Sequence, residues 1–485
     1  MMSREILSSS GVALAKQIRA RKLSSRAAVE AHIARVRQVN PELNAVVRDR
    51  FDAALAEADR ADERGFSTHP DDLPPFHGVP CTIKESFAVR GMPNTSGLWA
   101  RRDVVAERDA TAVKRLRDAG AIVLGVTNVS ELCMWMESSN KVWGRTNNPY
   151  DLRRTPGGSS GGEGAIVGAG ASPFGLGADV GGSIRMPAFF SGIFGHKPTG
   201  GLVPGTGQHP EGHGEARRYV TSGPLARRAE DLMPLMRVLA GPDGVDDCIT
   251  LPLRDPDAVD LGKLTVVSIE ENGVLKVEPS LIEAQRRAAA ALEARGARVF
   301  VKNLPAFKRS LEIWSTMLHE GSRGGPSFRE MMAHGGPFDP WRELLRYPLG
   351  RSRYTLPGLL LSVLEEIPNR FGGRNDAILE LGGSLRREID EMLGDTGVML
   401  FPSHPKVAPR HHDSLLVPIR WMYTAIFAVL ELPVTQVPLG LDRRGLPLGV
   451  QVVGAHGNDH LTIAVASALE RSFGGWRPPP RAPLD

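Results

Sequence analysis

Apolar residues in this chain follow two rhythms, and the change comes near residue 76. Before it they recur every three or four positions. Val29, Ile33 and Val36 share one face of a segment that Ser24 or Ser25 is placed to cap, and AALAEADRADERG repeats the spacing, so residues 10–65 read as helices. In GVPCTIKESF the rhythm shortens. Val79, Cys81 and Ile83 alternate with Pro80, Thr82 and Lys84, which predicts a strand with Lys84 on the face opposite the aliphatic set. ATAVKRLRDAG, closed by Gly120, reads as a helix leading into the buried strand AIVLGV; KLTVVSI, IEAQRRAAAALEARG and ARVFV repeat a strand–helix–strand order. Helices interleaved with short apolar strands imply an α/β layered fold with helices on both sheet faces.

From about 305 to 395 the pattern turns helical and irregular, gathering Trp314, Met317, Phe328, Met331, Met332, Phe338, Trp341, Tyr347 and Tyr354. Two readings stay open for this insertion: an adaptable apolar lid over a binding site, or plain helical core. Residues 396–475 return to strands in LPVTQVPLG and GLPLGVQVVG and complete the sheet. Residues 1–485 are therefore read as one domain.

Composition narrows the classes. The 485 residues are 41% hydrophobic and 24% charged, an ordinary soluble balance. Lys and Arg number 59 against 55 Asp and Glu, so no basic footprint for nucleic acid or lipid headgroups emerges. Three cysteines, Cys81, Cys133 and Cys248, never stand in a C-x-x-C spacing, which points to a reducing compartment and away from a structural zinc site. The first residues lack the apolar core of a signal peptide, and no apolar run nears the ~18–20 residues of a membrane span. The expectation is a cytoplasmic protein without an integral membrane span, a metal or a cofactor, and with a homodimer left open.

The candidate chemistry centres on serines held among glycines. TPGGSSGGEG, residues 155–164, satisfies G-x-S-x-G, but NNPYDLRRTP before it is no strand, so a nucleophile elbow is disfavoured and the glycines read as a turn opening a helix. Ser138-Ser139-Asn140-Lys141 has an S-x-x-K spacing without its companion motifs and is set aside. Twenty-four residues past Ser159, in GLGADVGGSIRMP, Ser183 follows Val180-Gly181-Gly182; successive glycines let backbone N–H groups converge on one spot, where they would bind an oxyanion. The adjacent His411-His412 points apart in a strand and does not suggest a metal site, and His196 reads as a core hydrogen-bonder.

Lys84, Ser159 and Ser183 together carry a resemblance. Residues 155–200, TPGGSSGGEGAIVGAGASPFGLGADVGGSIRMPAFFSGIFGHKPTG, resemble the signature of the amidase signature family nearly position by position; TIKESF is similar to its lysine motif and GLPLGVQVVG to its terminal strand. The likeness runs from about residue 10 to 475, with 76–240 as the signature core. Glu163 after GG, FGHKPTG and the tail from HPKVAPRHHD to SFGGW are most similar to the fatty-acid amide hydrolase 2 branch.

The resemblance implies a large mixed β-sheet covered by helices on both faces, and a serine-dependent amidase without cofactor. It implies Ser183 as nucleophile, Ser159 as the bridging serine and Lys84 as base, with the N–H groups of Val180, Gly181, Gly182 and Ser183 as oxyanion hole. A serine hydroxyl attacks once its proton has a destination, and a lysine accepts it if burial lowers its pKa from about 10.4 toward roughly 7–8. Asp179 and Arg185 are expected to pair and brace the loop, with a surface ion pair as the alternative; Ser160 joins the relay or caps the helix. Leu132, Cys133, Met134 and Trp135 align with the acyl channel of relatives, or are core. The expected partners are a small amide or carbamate and water. The functional alternative is a glutamine-dependent amidotransferase of the A type, releasing ammonia inside a larger complex. The family's usual threonine is Ala178 here.

Overall fold

The computed structural model describes residues 3–365 and 375–484. Eleven strands form one mixed sheet in the order Val46–Asp49, Ile122–Thr127, Pro80–Lys84, Phe174–Asp179, Thr221–Ala226, Phe194–Lys197, Val434–Leu441, Pro447–Gly454, Gly397–Phe401, Thr265–Ser268, Arg298–Val301. Neighbours at the lysine strand are parallel: Lys84 stands opposite Thr127 on one side, and Ile83 opposite Leu176 on the other. The middle of the sheet is antiparallel. This is the α/β fold expected, with helices around a mixed sheet.

The N-terminal helices form as the spacing implies. Ser24 Oγ accepts the Ala27 N–H to start Ser25–Leu43, and Asn44 in the left-handed region ends it. Strand Val46–Asp49, unanticipated among these helices, follows at once and pairs antiparallel with Ile122–Thr127. Four residues are too few for a period to show. The opposite margin, Arg298–Val301, leaves Val301 73% exposed, as an edge strand permits.

The lysine strand lies inside the layers: all five residues of Pro80–Lys84 are buried. Helix Gly161–Gly168, itself wholly buried, packs against this strand. Its glycines let other segments close on it: a Cβ at Gly162 would run into the Asn128 backbone, and one at Gly164 into Pro187. Lys84 therefore lies under a cover of helix rather than water.

The irregular segment holds helices Ser310–Gly321, Phe328–Ala333, Pro340–Arg346, Leu356–Glu365 and Asp376–Leu393; residues 366–374 of the expected insertion lie outside the described residues. Phe328 and Met332 make a small core with Leu98 and Leu132, whereas Trp341 is 57% exposed. No described helix is long and apolar enough to cross a membrane.

Candidate active site

Three segments meet at the C-terminal ends of the neighbouring strands Pro80–Lys84 and Phe174–Asp179. Lys84 ends its strand, Ser159 lies in the turn before helix Gly161–Gly168, and Ser183 lies in the turn between strand Phe174–Asp179 and helix Arg185–Phe190. Lys84 Nζ is 2.7 Å from Ser159 Oγ and 3.5 Å from the Ala178 carbonyl oxygen. The Gly158–Ser159 peptide bond is cis. The two serine turns are tied by the Ser160 N–H, which donates to the Ser183 carbonyl at 3.2 Å. Lys84 and Ser159 are each 1% exposed and Ser183 8%, so Ser183 is the member with most access from outside.

The lysine pocket contains no carboxylate in ion-pair contact with Lys84 among the described residues. Glu85, its chain neighbour, turns away and accepts the N–H groups of Thr95 and Ser96 at 2.6 and 2.8 Å. Burial pushes the Lys84 amine below the usual lysine value; Cys133, Asp179 and Glu163 pull weakly the other way. Below the strand, Glu163 accepts the hydroxyls of Thr82 and Thr127 at 2.7 and 2.8 Å, and burial raises its pKa to about 8 despite those bonds.

The nucleophile loop is braced differently. Arg185 Nη2 and Nε donate to the Asp179 carboxylate at 2.8 and 2.9 Å, and both side chains are fully buried, so this is no surface pair. Burial works against the Asp179 carboxylate, yet Arg185 beside it holds its pKa below the ordinary value. Asp179 also accepts the N–H of Gly182 at 2.7 Å and of Ile184 at 3.1 Å. That corrects the four-donor expectation: the Gly182 N–H is already committed. Those of Val180, Gly181 and Ser183 donate to no group among the described residues. Gly182 is required for another reason, since its φ is +118° and a Cβ would collide with Thr424.

Other expected residues divide. Ser160 stands at the helix N-cap position without a capping bond, and its Oγ is 3.4 Å from the Ala178 carbonyl oxygen. Ser138, set aside on sequence, does the capping: its Oγ accepts the Gly161 N–H at 2.8 Å and donates to the Ser159 carbonyl at 3.0 Å. Leu132, with no exposure, packs with Leu98, Phe328 and Met332 in the small core. Cys133 sits beside Lys84, while Met134 and Trp135 are partly buried against the two cores. His196 bonds Thr435 and Asp459 inside the core, and His411 is engaged by Glu137 and the Leu152 carbonyl.

Residues far along the chain complete the loop. Trp314 Nε1 donates to the Val180 carbonyl at 2.8 Å, Thr424 Oγ1 donates to the Gly181 carbonyl at 2.7 Å, and Trp314 meets Trp421 edge to face at 4.6 Å. The sequence held no local signal for these contacts. Glu163 did leave one, as the sole charged residue in a helix of small and aliphatic ones.

A model of the family described as Amidase matches residues 27–335 and 374–463. The chain is 48% identical to fatty-acid amide hydrolase 2-B of Danio rerio, covering 98% of this chain and 91% of that one. It is 46% identical to fatty-acid amide hydrolase 2 of Homo sapiens, covering 96% and 89%. The solved structure of 6-aminohexanoate cyclic dimer hydrolase with substrate superimposes with a TM-score of 0.83 at 26% identity, over 98% of this chain and 100% of that one. A family match over most of the chain, joined to near-half identity with enzymes of one kind, places this chain in the amidase signature family as an amide hydrolase.

Proposed function

We propose that Ser183 attacks the substrate carbonyl while Ser159 passes its proton to Lys84. The observation that carries this reading is a fully buried lysine amine 2.7 Å from the Ser159 hydroxyl with no carboxylate in ion-pair contact among the described residues. A neutral amine has a lone pair for the proton. Ser159 donates and accepts at once, so it passes the Ser183 proton inward during attack and returns one to the departing amine. Amides need that return, because an unprotonated amide nitrogen leaves poorly. The Val180, Gly181 and Ser183 N–H groups hold the oxyanion, a single such donor being worth roughly 2.7–4 kcal/mol of barrier. Water then cleaves the acyl-enzyme by the reverse relay.

The substrates proposed are aryl or alkyl amides, with esters and carbamates sharing the tetrahedral chemistry. Identity favours this over an ammonia-releasing component of a larger complex: 46–48% to the fatty-acid amide hydrolases against 30% to the matching glutamyl-tRNA(Gln) amidotransferase chain of Ralstonia nicotianae. A purified chain releasing p-nitroaniline from acyl anilides, with turnover abolished in Ser183→Ala, is the expected result. Activity confined to glutamine and partner subunits would overturn it. Ser159→Ala should be far more damaging than Ser160→Ala; equal damage would remove Ser159 from the relay.

A further inference from the structure

Residues 135–138 run along the back of the Ser159 turn. A Cβ on Gly158 would collide with the Trp135 carbonyl oxygen and the Glu137 nitrogen, so this segment packs backbone to backbone with the residue that leads into Ser159. Ser138 then ties the two together. Its N–H donates to the Gly157 carbonyl at 3.2 Å, and its hydroxyl donates to the Ser159 carbonyl at 3.0 Å while accepting the Gly161 N–H at 2.8 Å. One fully buried residue thus holds the chain before, at and after the serine that touches Lys84.

Glu137 anchors the same segment from the other side. Its carboxylate meets the His411 ring with one oxygen and accepts the His412 N–H at 3.1 Å with the other, and the second His411 nitrogen reaches the Leu152 carbonyl at 3.1 Å. Little of either side chain reaches water. Burial opposes ionisation of Glu137, yet the His411 ring and the His412 N–H hold its pKa below the ordinary value.

Helix capping accounts for the Gly161 bond alone. The bonds to the Gly157 and Ser159 carbonyls fix the backbone that carries the Ser159 hydroxyl, and proton relays tolerate little error: a misplacement of about 1 Å can cost ~100-fold in rate. We infer that Ser138 is a positioning residue for the relay, setting the Ser159 hydroxyl against Lys84, and that Glu137 anchors it to the segment of His411 and His412. The inference rests on the proposed relay through Ser159.

Two substrates with one acyl group separate positioning from mere loss of folded enzyme. Hexanoyl p-nitroanilide needs its amine protonated to leave, whereas p-nitrophenyl hexanoate releases its phenolate without a proton. Ser159→Ala should lower the anilide-to-ester ratio of kcat/KM by about 100-fold, since general acid–base transfer supplies roughly 10²–10⁴. Ser138→Ala should lower that ratio by about 10-fold, as the loss of one buried hydrogen-bonding group implies, and Ser138→Thr, which keeps the hydroxyl, should restore most of it. Glu137→Gln leaves the Ser138 hydroxyl in place and weakens only its anchor; it should lower the ratio by about 3-fold, and it serves where Ser138→Ala fails to fold. Equal losses on both substrates in the Ser138→Ala and Glu137→Gln proteins, beside a selective loss in Ser159→Ala, would overturn the positioning role and leave the relay standing. An unselective loss in Ser159→Ala would sink the relay and the inference with it.

Discussion

Arg185 and Lys84 are two cationic side chains sealed near the same sheet centre, and their surroundings treat them in opposite ways. Arg185 meets the Asp179 carboxylate through two bonds, then the Thr424 carbonyl at 2.7 Å and the Gln451 side-chain oxygen at 2.8 Å. Its charge is matched and four of its five N–H donors are engaged. Lys84 meets the Ser159 hydroxyl, the Cys133 side chain and one distant carbonyl. Burial lowers the Lys84 pKa where no carboxylate is in ion-pair contact with the amine among the described residues, whereas the buried Arg185 guanidinium has the Asp179 carboxylate beside it. In the proposed relay the first region is scaffold and the second is reagent.

The largest break in that contrast comes from the reagent side. Ser183→Ala and Lys84→Met should each lower kcat/KM toward acyl anilides by about 10⁴- to 10⁶-fold. Residual turnover above a hundredth of wild type would mean another base. Stability should move the other way round. Asp179→Asn leaves the buried Arg185 charge without its anion and should cost about 3–5 kcal/mol in urea unfolding, whereas Lys84→Met removes an amine that burial disfavours and should leave stability level or higher. Equal losses would erase the distinction between the two regions.

Smaller effects sharpen it. Trp314 holds the Val180 carbonyl, and in a trans peptide the N–H of Gly181 points opposite, toward the proposed oxyanion. Trp314→Phe keeps an aromatic ring and frees that peptide, so kcat should drop by about 10-fold with KM little changed; a rise in KM at constant kcat would make Trp314 a binding residue only. The pH profile is the finest probe. In the proposed relay Lys84 acts as the neutral amine, and its pKa is held below the ordinary value, so kcat/KM should fall on the acid side as pH drops through that lowered value. Glu163 favours the protonated amine; Glu163→Gln removes that support and should move the acid limb to lower pH by a fraction of a unit. An unmoved or raised limb would detach Glu163 from the lysine.

Much of this was legible residue by residue. Ser24 as a cap, the strand around Cys81 and Ile83, and the helix opening at Gly161 follow from local spacing, and the glycine-serine turns announce backbone N–H chemistry before any coordinates. Other features were not. Leu132 reads equally well as channel or core until Leu98 and Phe328 are seen around it. Ser138 looks like half of a chance motif, because its partners Ser159 and Gly161 lie more than twenty residues on.

Local chemistry is written in the chain: which groups can donate a proton, where backbone can turn, which stretches alternate. From that, the α/β class and the trio of Lys84, Ser159 and Ser183 were readable. Only the folded packing decided that helix Gly161–Gly168 covers the lysine strand, that Asp179 claims the Gly182 N–H, and that Ser138 caps that helix. Burial and hydrogen-bond satisfaction depend on atoms brought together from distant positions, and no window of sequence contains both members of such a pair.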